Sequence, residues 1–184
     1  MSRPNSPIDF SAYHHHLTPM TIPYSILDLA RVTQGGSIAQ SFDDCVSTAR
    51  KAEALGYHRV WYAEHHNMAS VASSATSVLI AHIAAHTQSI RLGSGGVMLP
   101  NHSPLTIAEQ FGTLATLHPG RIDLGLGRAP GGDRGVIRAL RKDAMAAGNR
   151  FPDDVVELMT YLGKASDSTL PVRAIPGEGT QVPV

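Results

Sequence analysis

Glu64, His65 and His66 stand in a row. A carboxylate beside two imidazoles suits proton transfer, contact with a cofactor, or a zinc site with the histidines as ligands. A hydrogen-bonded loop cap would use the same three residues. Adjacent side chains of an extended segment point to opposite sides, so only one of the two histidines can readily face a shared pocket. A second stretch, Gly93-Ser94-Gly95-Gly96, breaks an otherwise apolar run. Glycine inside a strand marks a bulge, tight packing, or close approach of a ligand. A third, Gly127-Arg128-Ala129-Pro130-Gly131-Gly132-Asp133, sets an arginine at the start of a glycine-rich loop. The planar fork of Arg128 suits a bound anion, though a salt bridge would also satisfy it. His82 and His86 lie four apart with no Cys or carboxylate in the local sequence, which favours a structural role. The run His14-His15-His16 reads as polar surface.

These groups need elements to place them. Four short apolar runs, at residues 24–29, 59–63, 90–99 and 122–126, begin about every 30 residues, the length of one strand-plus-helix unit. Nearly continuous apolar runs suit parallel strands buried on both faces. Helical patterns fill the gaps. One opens at Ser41 with Asp43 and Asp44 and runs to Leu55 before Gly56, with Val46, Ala49, Ala52 and Leu55 on one stripe. A second, 72–87, is small and apolar almost all round. A third, 104–118, starts on Pro104, and a fourth, 151–163, has Pro152 and two aspartates at its front. Alternating strands and helices imply parallel βαβ units with right-handed crossovers. Either a doubly wound open sheet or part of a barrel fits. The first strand leads into Arg31-Val32-Thr33-Gln34-Gly35-Gly36 rather than a Gly-x-Gly-x-x-Gly turn, which disfavours a dinucleotide-binding unit. In a parallel barrel, reactive residues sit where strands give way to loops. Polar residues follow all four strands here: Asp28, then Glu64-His65-His66-Asn67, then Asn101-His102, then Arg128 and Asp133.

Composition narrows the class. The chain has 184 residues, 15 Lys+Arg against 15 Asp+Glu, and 42% hydrophobic residues, which is ordinary globular usage. Zero formal charge and the lack of a basic block argue against nucleic acid as a partner. No apolar run is long enough to cross a membrane, and residues 1–19 lack an apolar stretch, so a secretory signal is not expected there. The single cysteine, Cys45, rules out an internal disulfide framework, and a cytoplasmic setting is the default expectation. Residues 1–22, with Pro4, Pro7 and Pro19, are expected to be a disordered N-terminal extension preceding one domain at 23–184.

Taken together, Tyr24-Ser25-Ile26-Leu27-Asp28-Leu29, Arg59-Val60-Trp61-Tyr62-Ala63-Glu64-His65-His66, the stretch 92–102 with Pro104, and Pro119-Gly120-Arg121-Ile122-Asp123-Leu124-Gly125-Leu126-Gly127-Arg128 resemble the bacterial-luciferase-like flavin-dependent oxidoreductases, closest to their alkanal-monooxygenase-like subgroup. The resemblance implies a TIM barrel holding reduced FMN, supplied by a flavin reductase, at the C-terminal rim. It also implies that reduced FMN and O2 oxygenate an aldehyde or similar small compound. A deazaflavin is the variant cofactor. By the same resemblance Glu64 and His65 lie beside the reactive ring, with His65 in proton transfer. Ser94-Gly95 matches a non-prolyl cis peptide under the ring, and Arg128 reaches the flavin phosphate.

A complete barrel of this kind runs to about 250 residues, and the chain is shorter. The expectation is therefore the N-terminal half of a barrel, about four βα units, with activity impaired and flavin held weakly. The inner face is expected to expose some of Leu27, Val60, Tyr62, Leu92, Val97, Leu124 and Leu126. Such a chain should be marginally stable or pair as a homo- or hetero-oligomer. Two other readings stand beside this one: a non-catalytic half-barrel assembly module, and a metal-dependent hydrolase using Glu64, His65 and His66.

Overall fold

The computed structural model describes residues 22–129, 132–140 and 144–184. The expected extension and its histidine run lie outside them, except for Ile22, as do Pro130 and Gly131 of the arginine loop. In chain order the elements are β1 (Ser25–Asp28), α1 (Ile38–Ala54), β2 (Arg59–Tyr62), α2 (Thr76–Ala85), β3 (Arg91–Met98), a 3₁₀ turn (Leu99–Asn101), α3 (Pro104–Leu117), β4 (Ile122–Gly127), α4 (Arg134–Ala139), α5 (Ala144–Leu162) and a 3₁₀ turn (Ala165–Asp167).

The four strands form one parallel sheet in the order β1-β2-β3-β4. This order decides between the two architectures. A right-handed crossover always leaves its helix on the same side if each new strand is added at the same edge. A doubly wound sheet must reverse its order to cover its second face. With no reversal, α1, α2 and α3 cover one face, as in four successive units of a (β/α)8 barrel.

The helix-facing side is the core. Val60, Tyr62, Leu92 and Leu124 are fully or almost fully buried, packed with Ile80, Ile83, Ile107 and Phe111. Of the strand apolar residues, some of which were expected on an exposed inner face, Val60, Tyr62, Leu92, Val97 and Leu124 are buried, while Leu27 and Leu126 lie on the open face. Alternation along β2 sends Val60 and Tyr62 toward the helices and Arg59 and Trp61 to the other side. Among the large apolar residues expected to be inward, only Leu27 is substantially exposed, at 55%. Elsewhere the open face is tied by charge. Asp123 accepts from Arg59 Nε at 2.7 Å and from Arg91 Nε and Nη2 at 2.9 and 2.6 Å. The Arg59 guanidinium lies 4.5 Å from the Trp61 ring centroid. A cation on an aromatic face, with its charge paired, covers that ring at lower cost than water would.

Two helix boundaries differ from the sequence reading. α1 starts at Ile38 because Ser37 has the extended backbone of a cap and its Oγ accepts from Gln40 N–H at 3.1 Å. Ser41 is buried in the first turn, not a cap. α5 starts at Ala144, so Pro152 lies inside it rather than at its front. The buried stripe of α1 is Ser41, Cys45, Ala49 and Ala52; Leu55 is 67% exposed. These small residues let the helix lie close to the sheet.

Two side chains fasten the turns between units. Glu53 Oε1 accepts the backbone N–H groups of Gln88, Ser89 and Ile90 at 2.9, 2.6 and 2.9 Å, ahead of β3. Arg121 donates to the carbonyls of Ile90 and Thr87 at 3.1 Å and to Thr87 Oγ1 at 2.6 Å, joining the end of α2 to β4. Burial raises the Glu53 carboxyl, but the backbone donors of Ser89, Ile90 and Gln88 outweigh it and hold the group at about 2. A carboxyl lowered in the fold stabilises above its ordinary value and loses that contribution as pH falls through the lowered one. Glu53→Gln should therefore cost about 1–2 kcal/mol at neutral pH, discounted for partial exposure. In thermal unfolding the gap from wild type should shrink as pH drops from 4.5 toward 2.

The C-terminal segment packs back on the same units. Pro176 and Gly177 press on α3 at Gly112, where an added Cβ would sit 1.9 Å from the Pro176 carbonyl oxygen. Leu124 N–H donates to Pro183 O at 2.8 Å, so the last residues lie along the outer edge of β4.

Candidate active site at the C-terminal rim of the sheet

The segment after β2 carries the first groups. Glu64 follows β2 and is 1% exposed. Its Oε1 accepts from His66 Nε2 at 2.9 Å and from His102 Nε2 at 2.8 Å, and its Oε2 accepts the Met98 N–H at 2.9 Å. Three donors, from the loop after β2, the end of β3 and the loop after it, thus meet one buried carboxylate. Burial pushes the Glu64 carboxyl up, but the His102 and His66 hydrogen bonds, the His102 charge and the Met98 N–H together hold it below its ordinary range.

The sequence placed His65 beside Glu64, and the structure separates their side chains. Glu64 pairs with His66, two residues on, and with His102 from the loop after β3. Past Tyr62 the strand has ended and Tyr62, Ala63 and Glu64 are all buried, so strand alternation does not place His65, which is half-buried and apart from the Glu64 contacts. Its backbone N–H donates to Ser73 O at 2.9 Å, and its half-buried ring has no hydrogen-bond partner among the described residues. His102 follows the third strand in the sequence, but nothing in its spacing tied it to Glu64.

β3 supplies the second part. Ser94 pairs with Leu124 in register, is fully buried, and donates from Oγ to Gly125 O at 2.8 Å. The register with β4 shifts between Ser94 and Val97. The cis peptide lies in that shift, at Gly95–Gly96, one residue beyond the Ser94-Gly95 bond expected from the sequence. Ser94 is held in the ladder by its pairing and its hydroxyl, so the irregularity falls on the next two residues, neither of which has a Cβ.

Around Gly95 and Gly96 is a hollow of about 270 Å³, open on the bare face of the sheet and lined by Leu27, Trp61, Ser94, Gly95, Gly96, Gly125 and Leu126. The glycines set its shape. A Cβ on Gly93 would lie 2.5 Å from the Trp61 ring, one on Gly95 2.8 Å from Trp61 Cβ, and one on Gly96 2.8 Å from Gly125 O. The indole therefore lies flat on the backbone of β3, and the hollow has broad apolar walls with a peptide floor. Such walls suit a planar ring system.

β4 delivers Arg128, exposed at the same rim, with Nε donating to Gly148 O of α5 at 3.3 Å. Asn67 Nδ2 donates to Asp133 Oδ2 at 3.3 Å, tying the loop after β2 to the loop after β4. Cys45 lies elsewhere, under β1. Burial, with Asp28 beside it, pushes its thiol up to about 12, which keeps it a thiol rather than a nucleophile. Among the described residues no group of three or more His, Cys, Asp and Glu could hold a metal ion. The Glu64 oxygens and the two Nε2 atoms are committed to each other.

The family model of the luciferase-like monooxygenases matches residues 22–164. The chain belongs to the luciferase-like monooxygenase family. A luciferase-like monooxygenase of Escherichia coli K12 is 55% identical over 168 residues, covering 91% of this chain and 50% of that protein. The crystal structure of apo-MsnO8 superposes with a TM-score of 0.76 at 42% identity, covering 84% of this chain and 45% of that one. The oxygenating constituent of 3,6-diketocamphane monooxygenase from Pseudomonas putida, a type II Baeyer–Villiger monooxygenase in complex with FMN, superposes at 0.71 with 18% identity. It covers 88% of this chain and 49% of that one, a likeness of fold. This family member spans about half the length of the relatives it matches. Its four units are thus a partial TIM barrel. Among the described residues no helix is long and apolar enough to cross a membrane.

Proposed function

We propose that the chain supplies the flavin-ring side of a monooxygenase site that oxygenates a small organic compound with reduced FMN and O2. The observation that carries this reading is the glycine-lined hollow between Trp61 and Gly95-Gly96, at the rim that also bears the Glu64 cluster and Arg128. The donor set fits a flavin. The ring would lie against the peptide floor and the walls of Leu27, Trp61 and Leu126. Arg128 offers a charge-assisted bond to the phosphate. When bound, the reduced flavin supplies the electrons that activate O2.

The residues of the chain do the rest. Trp61, Leu27 and Leu126 exclude water from one side of the hollow. His65, which follows β2 and whose ring makes no hydrogen bond among the described residues, is the group proposed to give or take a proton at this rim. Glu64 is committed to its own partners. It positions the rim by clamping His66 and His102 and by fixing the Met98 N–H. A reductase partner would supply the reduced flavin; the Pseudomonas protein is likewise one constituent, the oxygenating one, of its monooxygenase.

Trp61 is the single tryptophan of the chain, so its emission reports on this hollow alone. Titration with FMN should quench it saturably, with riboflavin weaker by about 10–100-fold for loss of one charge-assisted contact. Arg128→Met should bring FMN down to the riboflavin level and leave riboflavin unchanged. Deazaflavin in the same titration decides between the two cofactor classes. Absence of saturable quenching by any of them would remove the reading.

A further inference from the structure

Proline inside a helix breaks a rule, and rules broken in a native helix point to a compensating use. Pro152 lies inside α5, nine positions from its start at Ala144 counting the start itself as one. In an α-helix the N–H of each residue goes to the carbonyl four residues earlier. The donor that Pro152 cannot offer is the one due to Gly148 O. That same carbonyl is the acceptor of Arg128 Nε, at 3.3 Å from a different element. Among the described residues no acceptor takes Nη1 or Nη2 of Arg128. One edge of the guanidinium is thus tied to α5, and among the described residues both terminal amino groups are left for something else.

We infer that Pro152 is a positioning residue for Arg128: by withholding an N–H from Gly148 O, it keeps that carbonyl as the anchor that aims the guanidinium at an anionic phosphate. This rests on the reading that Arg128 meets the phosphate of the cofactor. An arginine on an exposed loop otherwise samples many rotamers, and each must be given up on binding. Anchoring Nε beforehand reduces that loss while leaving the fork that recognises phosphate.

The test is Pro152→Ala, which restores the N–H due to Gly148 O, turns that carbonyl into line with the helix ladder and weakens it as an acceptor for Arg128. The variant should melt at a higher temperature, because the helix regains its hydrogen bond and a better helix former. Its affinity for FMN, read by Trp61 quenching, should nevertheless fall about 3–10-fold, with riboflavin unchanged. Asp153→Ala, exposed on the same turn, raises helix propensity without adding a donor at 152, and should leave both affinities as they are. In NMR of the unliganded protein, the Arg128 Hε should exchange slowly in wild type and fast in Pro152→Ala. If Arg128→Met loses FMN affinity while Pro152→Ala keeps it and keeps Hε protection, the positioning role is wrong and the phosphate reading stands. If Arg128→Met binds FMN like wild type, the phosphate reading fails and takes this inference with it.

Discussion

Glu64→Ala should be among the most damaging single substitutions in this chain, costing about 3–5 kcal/mol in chemical denaturation. Three donors lose their acceptor at once: His66 Nε2, His102 Nε2 and the Met98 N–H. The carboxylate is 1% exposed, so water does not readily take its place. A typical domain has about 5–15 kcal/mol in total, so this loss should leave much of the chain unfolded at room temperature. Glu64→Gln separates charge from shape. It retains one carbonyl oxygen and should cost less. Because the Glu64 carboxyl is held below its ordinary value, its contribution is complete above about 4.5 and is lost as pH falls through the lowered value. The wild type should therefore lose stability in acid more steeply than Glu64→Gln. Parallel acid limbs would show that the three donors do not depend on the carboxylate charge.

Gly125→Ala should strike the proposed flavin hollow. The added Cβ would lie 2.3 Å from Ser94 O, a backbone atom of the paired strand. No side-chain rotation relieves that contact, so β3 and β4 must separate. Ser94 Oγ would then lose Gly125 O, now at 2.8 Å, and the Gly95–Gly96 floor would shift with it. Overpacking of this kind costs about 1–3 kcal/mol. The larger effect should be on binding, with FMN quenching of Trp61 weakened at least about 10-fold, since a planar ligand on a peptide floor tolerates little displacement. Gly35→Ala, outside the hollow, should leave FMN affinity at the wild-type value even though its positive φ of 80° makes it mildly destabilising. Equal losses in both variants would indicate that general stability, not the floor, governs binding.

Much of the fold is legible in the residue pattern, for a physical reason. Parallel strands buried against helices need apolar runs, and the spacing of those runs gives the βα unit; all four strands fall where the runs are. Periodicity alone leaves open sheet and barrel undecided, because it contains no strand order; the resemblance carried by Glu64-His65-His66 and the stretch from Pro119 to Arg128 chooses the barrel, and the strand order agrees. Two boundaries moved for local reasons: Ser37 offers a cap with better geometry than Ser41, and α5 continues through Pro152. The expectation of an exposed apolar inner face holds for Leu27 and in part for Leu126, while the other strand apolar residues named are buried. Within β2 the polar and apolar residues alternate, so Val60 and Tyr62 could be assigned to one side, but which side takes the helices depends on the rest of the fold.

The site was legible in its parts more than in its connections. Glu64 and Arg128 are marked by type and by position at strand ends, and Ser94 and Gly95 by the glycines that interrupt the third apolar run; in the fold Glu64 and Arg128 follow β2 and β4, and Ser94 and Gly95 lie within β3. The pairing of Glu64 with His66 and His102 was hidden because His102 is 38 residues away and only the folded sheet brings the loops together. The anchoring of Arg128 was hidden for the same reason: Pro152 reads as a helix start, and its missing N–H gains meaning only beside Gly148 O.

That the hollow over Gly95–Gly96 receives the flavin ring is tested most directly by a crystal structure of the protein with FMN. The isoalloxazine should lie against Gly95 and Gly96, with Trp61 beside it and the phosphate on Arg128. FMN ordered elsewhere, for instance in the apolar groove of about 390 Å³ between α1 and α2 beside Phe42 and Leu79, with the glycine hollow left to solvent, would contradict it.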